Sequence, residues 1–380
     1  VAVFLSILLI DTCLNNCYLF FPIAQEKENH FVASTLSPWS LLSTAALGAA
    51  GATLKELTDV LHLHRQPCFN DRYFEIVKSV AGQGSDVVLE RSSTIFVDDS
   101  LRLADGFQRK LTDAGVVRFE SFPFSNPDNA SAAINDYVSR ATHDMILDVV
   151  VPGDLDGVLM IMIDALYFKG TWQTPFPYKF TERGDFYNDR GIVAGDVNFM
   201  SVTATFNTTY ISHIRTTVVE LPYGADGRYA MLVFLPDRDS TLPMLINSLR
   251  KISLATVYRL FSMDGPQSVR VTIPRFKIVS DLNNLKELLS DMGLRTAFDS
   301  TLAEFPSLSD FPLYIANFVQ KANIEVTEEG TEASAATAAL FGARIGPQEF
   351  NANKPFLYMI VDKQTEVPIF TGAYSKPSEY

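Results

Sequence analysis

Twelve consecutive residues narrow the folds open to this chain more than any others: GVLMIMIDALYF, residues 157–168. A strand with one face in water alternates apolar and polar side chains, whereas one covered on both faces reads as a continuous apolar run. The run therefore predicts a central strand of a large sheet with protein packed against both faces. Asp164 interrupts it and requires a buried partner, because an isolated carboxylate in such a place is costly.

The segments before this run read mainly as helix. Residues 38–62 open at Ser37-Pro38, a fitting helix start, and carry an apolar stripe of Leu41, Leu42, Ala45 and Ala46. Gly48 and Gly51 predict a break, with Thr53 capping a second helix and Glu56 completing a capping box. Residues 104–115 read as a helix ending at Gly115. Residues 131–149 read as another, with Ile134, Tyr137, Val138, Ala141 and Met145 at helical spacing. VVLERSSTIFV, from residue 87, reads as a strand. After the central run come further strand-like stretches: TTVVELPY, YAMLVFLP, SVRVTIPRFKI, FPLYIANFVQKANIEV, PFLYMIVD and EVPIFTGAY. One helix, DLNNLKELLSDMG, lies among them and closes at Gly293. Helices first and strands later predict an α+β class built on a large mixed sheet.

At 380 residues, 47% hydrophobic and 20% charged, the chain has globular composition. No Pro/Gly/Ser-rich linker or internal repeat divides it, so a single domain over 13–380 is expected. Residues 1–12 are set apart because VAVFLSILLI is uncharged, apolar and too short to span a bilayer. It reads as the remnant of a secretory signal, so a secreted protein without a membrane anchor is expected. The sequons at Asn129 and Asn207 fit a secreted glycoprotein. A net charge of −13 argues against nucleic acid as a partner. Arg65, Arg72 and Lys78 alone are thin for a glycosaminoglycan groove. Cys13, Cys17 and Cys68 make no disulfide framework and read as small buried hydrophobes. The chain carries no metalloprotease motif, phosphate loop or nucleophile elbow, so neither an enzyme nor a cofactor is expected. His62, His64 and Cys68 are loosely spaced like metal ligands but read as a turn after a helix, and no metal is assigned.

Between the strand ending near Val326 and the one near Phe356 lies TEEGTEASAATAALFGARIGPQEFNANKP, which has no strand pattern. Six of the thirteen residues from Thr331 to Ala343 are Ala, and Arg344 is the only basic residue between Lys321 and Lys354. A surface helix, a plain linker and a loop that offers Arg344 to a protease all remain open on these residues alone.

Resemblance to a known family separates them. EVTEEGTEASAAT (325–337) resembles the serpin hinge and FNANKPFLYMI (350–360) the serpin C-terminal signature. DALYFKGTW (164–172), VVELPYG, IPRFKI and INDYV are also similar to serpin segments, in serpin order. The match runs from about residue 30 to the C-terminus. Pro22 is expected to interrupt the first helix.

The resemblance implies about nine helices, three β-sheets and an exposed reactive-centre loop over about 328–350. It implies a monomeric suicide-substrate inhibitor, cut between Arg344 and Ile345, that forms a covalent complex with a trypsin-like, Arg-specific serine protease. A non-inhibitory carrier, chaperone or storage protein is the alternative. The implied hinge is Glu328, Glu329, Gly330, Thr331, Glu332, Ala333, Ser334, Ala335, Ala336 and Thr337. Family register turns Thr331, Ala333, Ala335, Thr337 and Ala339 inward on insertion and Glu332 outward. Trp172, Ser37, Ser40, Asp164 and Gln320 are implied to sit where the main sheet parts. Asp164 stands where the family commonly has Asn and Gln320 where it often has His.

Overall fold

The computed structural model describes residues 17–34, 36–64, 67–80, 87–107, 109, 115–142, 144, 146–329 and 346–378. The elements are, in chain order, α1 (Cys17–Glu26), β1 (Phe31–Ala33), α2 (Leu36–Ala46), α3 (Gly51–Leu61) and α4 (Pro67–Val80). There follow β2 (Val87–Asp98), β3 (Arg118–Phe122), α5 (Pro127–Ala141), β4 (Met160–Gly170), β5 (Glu182–Tyr187) and β6 (Val193–Ile211). Next are β7 (Thr216–Tyr223), β8 (Tyr229–Pro236), α6 (Leu242–Ser248), α7 (Leu254–Asp264), β9 (Pro266–Pro274) and β10 (Phe276–Leu282). Last come α8 (Leu285–Asp291), β11 (Asn317–Val326), β12 (Gln348–Asn351), β13 (Phe356–Asp362) and β14 (Val367–Tyr374).

The apolar run becomes β4, the middle strand of a five-stranded sheet in the order β10-β11-β4-β2-β3. Its side chains divide between two cores as a two-residue period requires. Ile161, Ile163 and Ala165 pack with Ile134 and Val138 of α5 on one face. Met160, Met162, Leu166 and Phe168 join the larger core with Leu41, Leu42 and Ala45 of α2 on the other. Each such aliphatic side chain withdrawn from water contributes about 1.5–3 kcal/mol. The unbroken hydrophobicity is thus the signature of a strand sandwiched between helices.

The other strands form two sheets that share the 19-residue β6. One runs β1-β14-β13-β8-β7-β6; the other joins β5, β6, β9 and β12. Every residue of β13 and β14 is buried. A Cβ on Gly372 of β14 would lie 2.3 Å from the Tyr358 hydroxyl and 2.5 Å from the Phe31 carbonyl. Only glycine lets these three strands approach so closely.

Five local expectations change. Helix α1 carries Pro22 in its interior. It forgoes one backbone bond, and burial of Ile23 and Ala24 in the core offsets the loss. The capping box at Thr53 does not form, because α3 begins at Gly51 with Ala50 as its N-cap and no side-chain capping bond. Thr53 Oγ1 instead accepts from the Glu304 amide at 3.0 Å. Glu56 accepts from the amides of Arg295 and Thr296 at 2.7 and 2.8 Å. Helix α5 stops at Ala141, short of residue 149, where Asp144 takes a left-handed φ of 59°. The strand expected from residue 311 starts at Asn317. SVRVTIPRFKI is two strands in different sheets, β9 and β10, divided at Arg275.

Candidate hinge and sheet-opening site

The central feature is the pairing of β4 with β11. The two strands are parallel and directly hydrogen-bonded, Asn317 opposite Ile161 through Ile324 opposite Phe168. Parallel neighbours are slightly less stable per residue than antiparallel ones. A third strand placed between them and running the other way would be antiparallel to both.

Halfway along the seam, Asp164 faces Gln320 in register. Both are buried, at 0% and 1% exposure. The Gln320 amide Nε2 donates to Asp164 Oδ2 at 2.7 Å, and the Ser93 hydroxyl of β2 donates to Oδ1 at 2.7 Å. Gln320 also donates to the Ser34 carbonyl and accepts from the Ser34 amide, each at 3.0 Å. Ser34 stands just before α2 and touches Ser37, whose amide donates to Ser34 Oγ at 3.3 Å. One buried chain of bonds thus ties β2, β4, β11 and the start of α2. Ser40 is buried but takes no part, since its hydroxyl bonds back to the Leu36 carbonyl at 2.8 Å. The Asp–Gln pair forms a workable donor and acceptor set, since Gln donates through its amide and the carboxylate accepts.

At the upper end, the segment after β4 wraps the chain leaving β11. Trp172 is 2% exposed and stacks on Tyr223 with centroids 4.2 Å apart. Its indole Nε1 donates to the Thr327 carbonyl at 2.7 Å, and its amide donates to the Glu329 carbonyl at 3.0 Å. The Phe176 amide donates to the Glu328 carbonyl at 3.2 Å. Glu328 is itself 2% exposed. Its carboxylate accepts from Thr181 Oγ1 at 2.9 Å and lies 3.7 Å from the Arg275 guanidinium. Arg275 is the residue at which β9 passes into β10, so the Glu328 carboxylate is held from the junction between two sheets. Glu329 is exposed, with the Lys169 ammonium 3.7 Å away.

Of the expected hinge, Glu328 and Glu329 are therefore placed at the top of the β4–β11 seam. Gly330, Thr331, Glu332, Ala333, Ser334, Ala335, Ala336 and Thr337 lie outside the described residues, as do Arg344 and Ile345. The chain returns as β12, parallel to β9. Sequence reasoning missed Ser34, Ser93, Thr181, Tyr223 and Arg275. Only Asp164, polar within an apolar run, signalled that such partners must exist.

Of the two sequons, Asn129 is exposed on the first turn of α5. The Asn207 amide instead donates to the buried carboxylate of Glu220 at 2.6 Å, and Thr209 donates to Asp264 at 2.6 Å. His62 closes α3 in a left-handed conformation, φ 52°.

Three sheets meet around a closed parallel seam between β4 and β11, with Glu328 and Glu329 clasped at its upper end. The chain belongs to the serpin family, described as Serpin (serine protease inhibitor), which matches residues 17–377. It is 30% identical to human glia-derived nexin, covering 93% of this chain and 89% of that one. Among solved structures it is similar to a Manduca sexta serine protease inhibitor, serpin-12, with a TM-score of 0.85 and 26% identity over 97% of this chain and 98% of that one. It is similar also to native protease nexin-1 solved with heparin, with a TM-score of 0.85 and 27% identity over 98% of this chain and 100% of that one.

Proposed function

We propose that this serpin is a secreted, monomeric suicide-substrate inhibitor of Arg-specific, trypsin-like serine proteases. The protease serine attacks the Arg344 carbonyl, the Arg344–Ile345 bond breaks, and Ile345 leaves as a new amino terminus. An ester then links Arg344 to the protease. The freed loop enters between β4 and β11 before water hydrolyses that ester, and the tethered protease is carried along. About a dozen new ladder bonds at ~1 kcal/mol net each supply on the order of 10 kcal/mol for this.

The single observation that carries the reading is the closed β4–β11 pairing with Glu328 and Glu329 clasped at its top. A loop that starts there is already at the seam it would enter. The small residues from Thr331 to Ala339 support passage between packed strands, with no Pro and no inward charge. Arg344 supports Arg-specificity, because a trypsin-like pocket holds that side chain through a buried carboxylate. Secretion is supported by the apolar opening run and by Asn129, whose side chain is open to a glycan. The sparse basic residues argue against a glycosaminoglycan partner, although nexin-1 was solved with heparin.

The test is to mix the protein with trypsin in equal amounts, denature in SDS, and look for a covalent band near the summed mass. The expected result is that band together with a small peptide beginning at Ile345. Clean cleavage with trypsin left active would overturn inhibition of trypsin and favour the non-inhibitory alternative.

A further inference from the structure

The chain of bonds around Asp164 and Gln320 leaves out one buried polar side chain of the same seam. Asn323 of β11 pairs in register with Tyr167 of β4 on one side and with Val279 of β10 on the other. It is 1% exposed, and its side-chain carbonyl Oδ1 accepts no hydrogen bond among the described residues. Side chains alternate between the faces of a sheet along a strand, and residues paired in register share a face. Asn323 stands three positions after Gln320, so it lies on the opposite face, apart from that network.

Its flanks explain the missing donor. Val279 presents only methyl groups, and the Tyr167 hydroxyl stands at the end of its ring farthest from the backbone. Two residues away on the same face, the Lys321 ammonium is committed to Asp281 Oδ2 at 2.9 Å and to the Asp148 carbonyl. A buried carbonyl without a donor forfeits the bond it had with water, whereas an apolar side chain of the same shape forfeits nothing. That penalty belongs to the closed seam. Directly paired strands lie ~4.8 Å apart, and a strand entering between β4 and β11 would double the distance. Tyr167 would then no longer flank Asn323, and the newcomer or water would take its place.

We infer that Asn323 is a positioning residue for the opening of the seam: its unsatisfied carbonyl raises the free energy of the closed β4–β11 pairing relative to the open one, and so speeds insertion against hydrolysis of the ester. The inference rests on the inhibitory reading and deepens it, by naming a side chain that sets the outcome of that race. Gln320 and Asn323 thus act in opposite senses from the two faces of one strand. The Gln320 bond to Asp164 holds the seam shut, and the unpartnered carbonyl of Asn323 favours its parting.

Asn323→Leu, which keeps the branched shape and removes the carbonyl, tests this on the full chain, with Asn323→Val as a second variant. Each is compared with the parent by melting in guanidinium, both intact and after cleavage at Arg344 by trypsin with the enzyme removed. The number of inhibitor molecules consumed per trypsin trapped is counted in parallel. The melting temperature of the intact protein should rise by about 2–4 °C, and that of the cleaved protein by less than about half as much. Slower opening leaves more time for hydrolysis, so consumption per trypsin trapped should rise about twofold or more. Equal gains in the intact and cleaved forms would overturn the inference, since Asn323 would then be an ordinary core residue. No gain in the intact form would overturn it as well, because the carbonyl would carry no penalty. So would a gain with unchanged consumption, which would leave Asn323 without influence on the race. These three outcomes leave the inhibitory reading standing, whereas a parent that forms no covalent band would overturn both.

Discussion

Gln320 and Asp164 meet across the seam between β11 and β4, amide nitrogen to carboxylate oxygen at 2.7 Å, with both side chains sealed from water. The bond joins the two strands that must separate if a third is to enter. Its partners Ser93 and Ser34 extend the grip to β2 and to the start of α2.

Replacing Asp164 should measure that grip. Asp164→Ala removes an acceptor shared by Ser93 and Gln320 and leaves buried donors short of a partner, at a cost of about 2–4 kcal/mol. Asp164→Asn keeps the shape and one acceptor oxygen and should cost about 1 kcal/mol or less. Chemical denaturation of the intact protein checks both values, and an alanine variant as stable as the parent would contradict the role.

Glu328 should be sensitive to charge rather than to size. Glu328→Lys would place a second cation beside Arg275 at a position that is itself buried, and should cost about 2–4 kcal/mol, since the Arg275 side chain keeps part of its contact with water. Adding Arg275→Glu to that variant should restore a good part of the loss, by exchanging the partners' charges. Melting temperatures of the two single variants and the double variant measure the coupling.

The inward hinge positions should tolerate small neutral residues only. Ala333→Glu would carry a charge between packed strands during insertion, and Ala333→Pro would remove a ladder donor. With either change, trypsin should still cut at Arg344 but be released active, and the covalent band should be lost. Arg344→Ala should abolish cutting by trypsin at that position altogether.

His30 should give the intact protein a stability that falls on acidification. Burial, and then the Lys376 charge, hold its pKa at about 4, below the usual value of 6.5. Between those values the unfolded chain binds a proton that the folded one refuses, so stability rises with pH there. Stability should therefore be full above pH 6.5, decline as pH falls from 6.5 towards 4, and lose no more from this group below that. A His30→Phe variant should show a shallower slope across that window in denaturation measured at several pH values.

Trp172 should report on the hinge. The chain has only two tryptophans, and the other, Trp39, is buried in α2 with its indole on the Leu61 carbonyl at 3.1 Å. In a Trp39→Phe background, cleavage at Arg344 should shift the Trp172 emission, because its partners at Thr327 and Glu329 stand where a loop entering the seam would start. An unchanged spectrum on cleavage would mean that the hinge stays clasped.

The strand at 160–170 and its coverage on both faces were legible in the sequence, because a two-residue period with apolar residues on both sides has few other solutions. The need for a partner at Asp164 was legible for the same reason, and resemblance supplied Gln320. The sequence did not indicate that Ser93 and Ser34 would complete the set. They lie 71 and 130 residues from Asp164 and look like ordinary polar residues. The run 268–278 looked like one strand because local pattern cannot register that a chain changes sheets at Arg275. Thr53 and Glu56 read as a capping box, yet tertiary packing directed both to the 295–304 segment instead.

The sequence by itself determined the α+β class and the covered central strand, since period, composition and order in the chain are local quantities. The tertiary structure alone decided that β4 and β11 close directly on one another and that Arg275 reaches Glu328 from the junction between two sheets. Those facts depend on which distant segments share space, and that is set by the packing of all the strands and helices together.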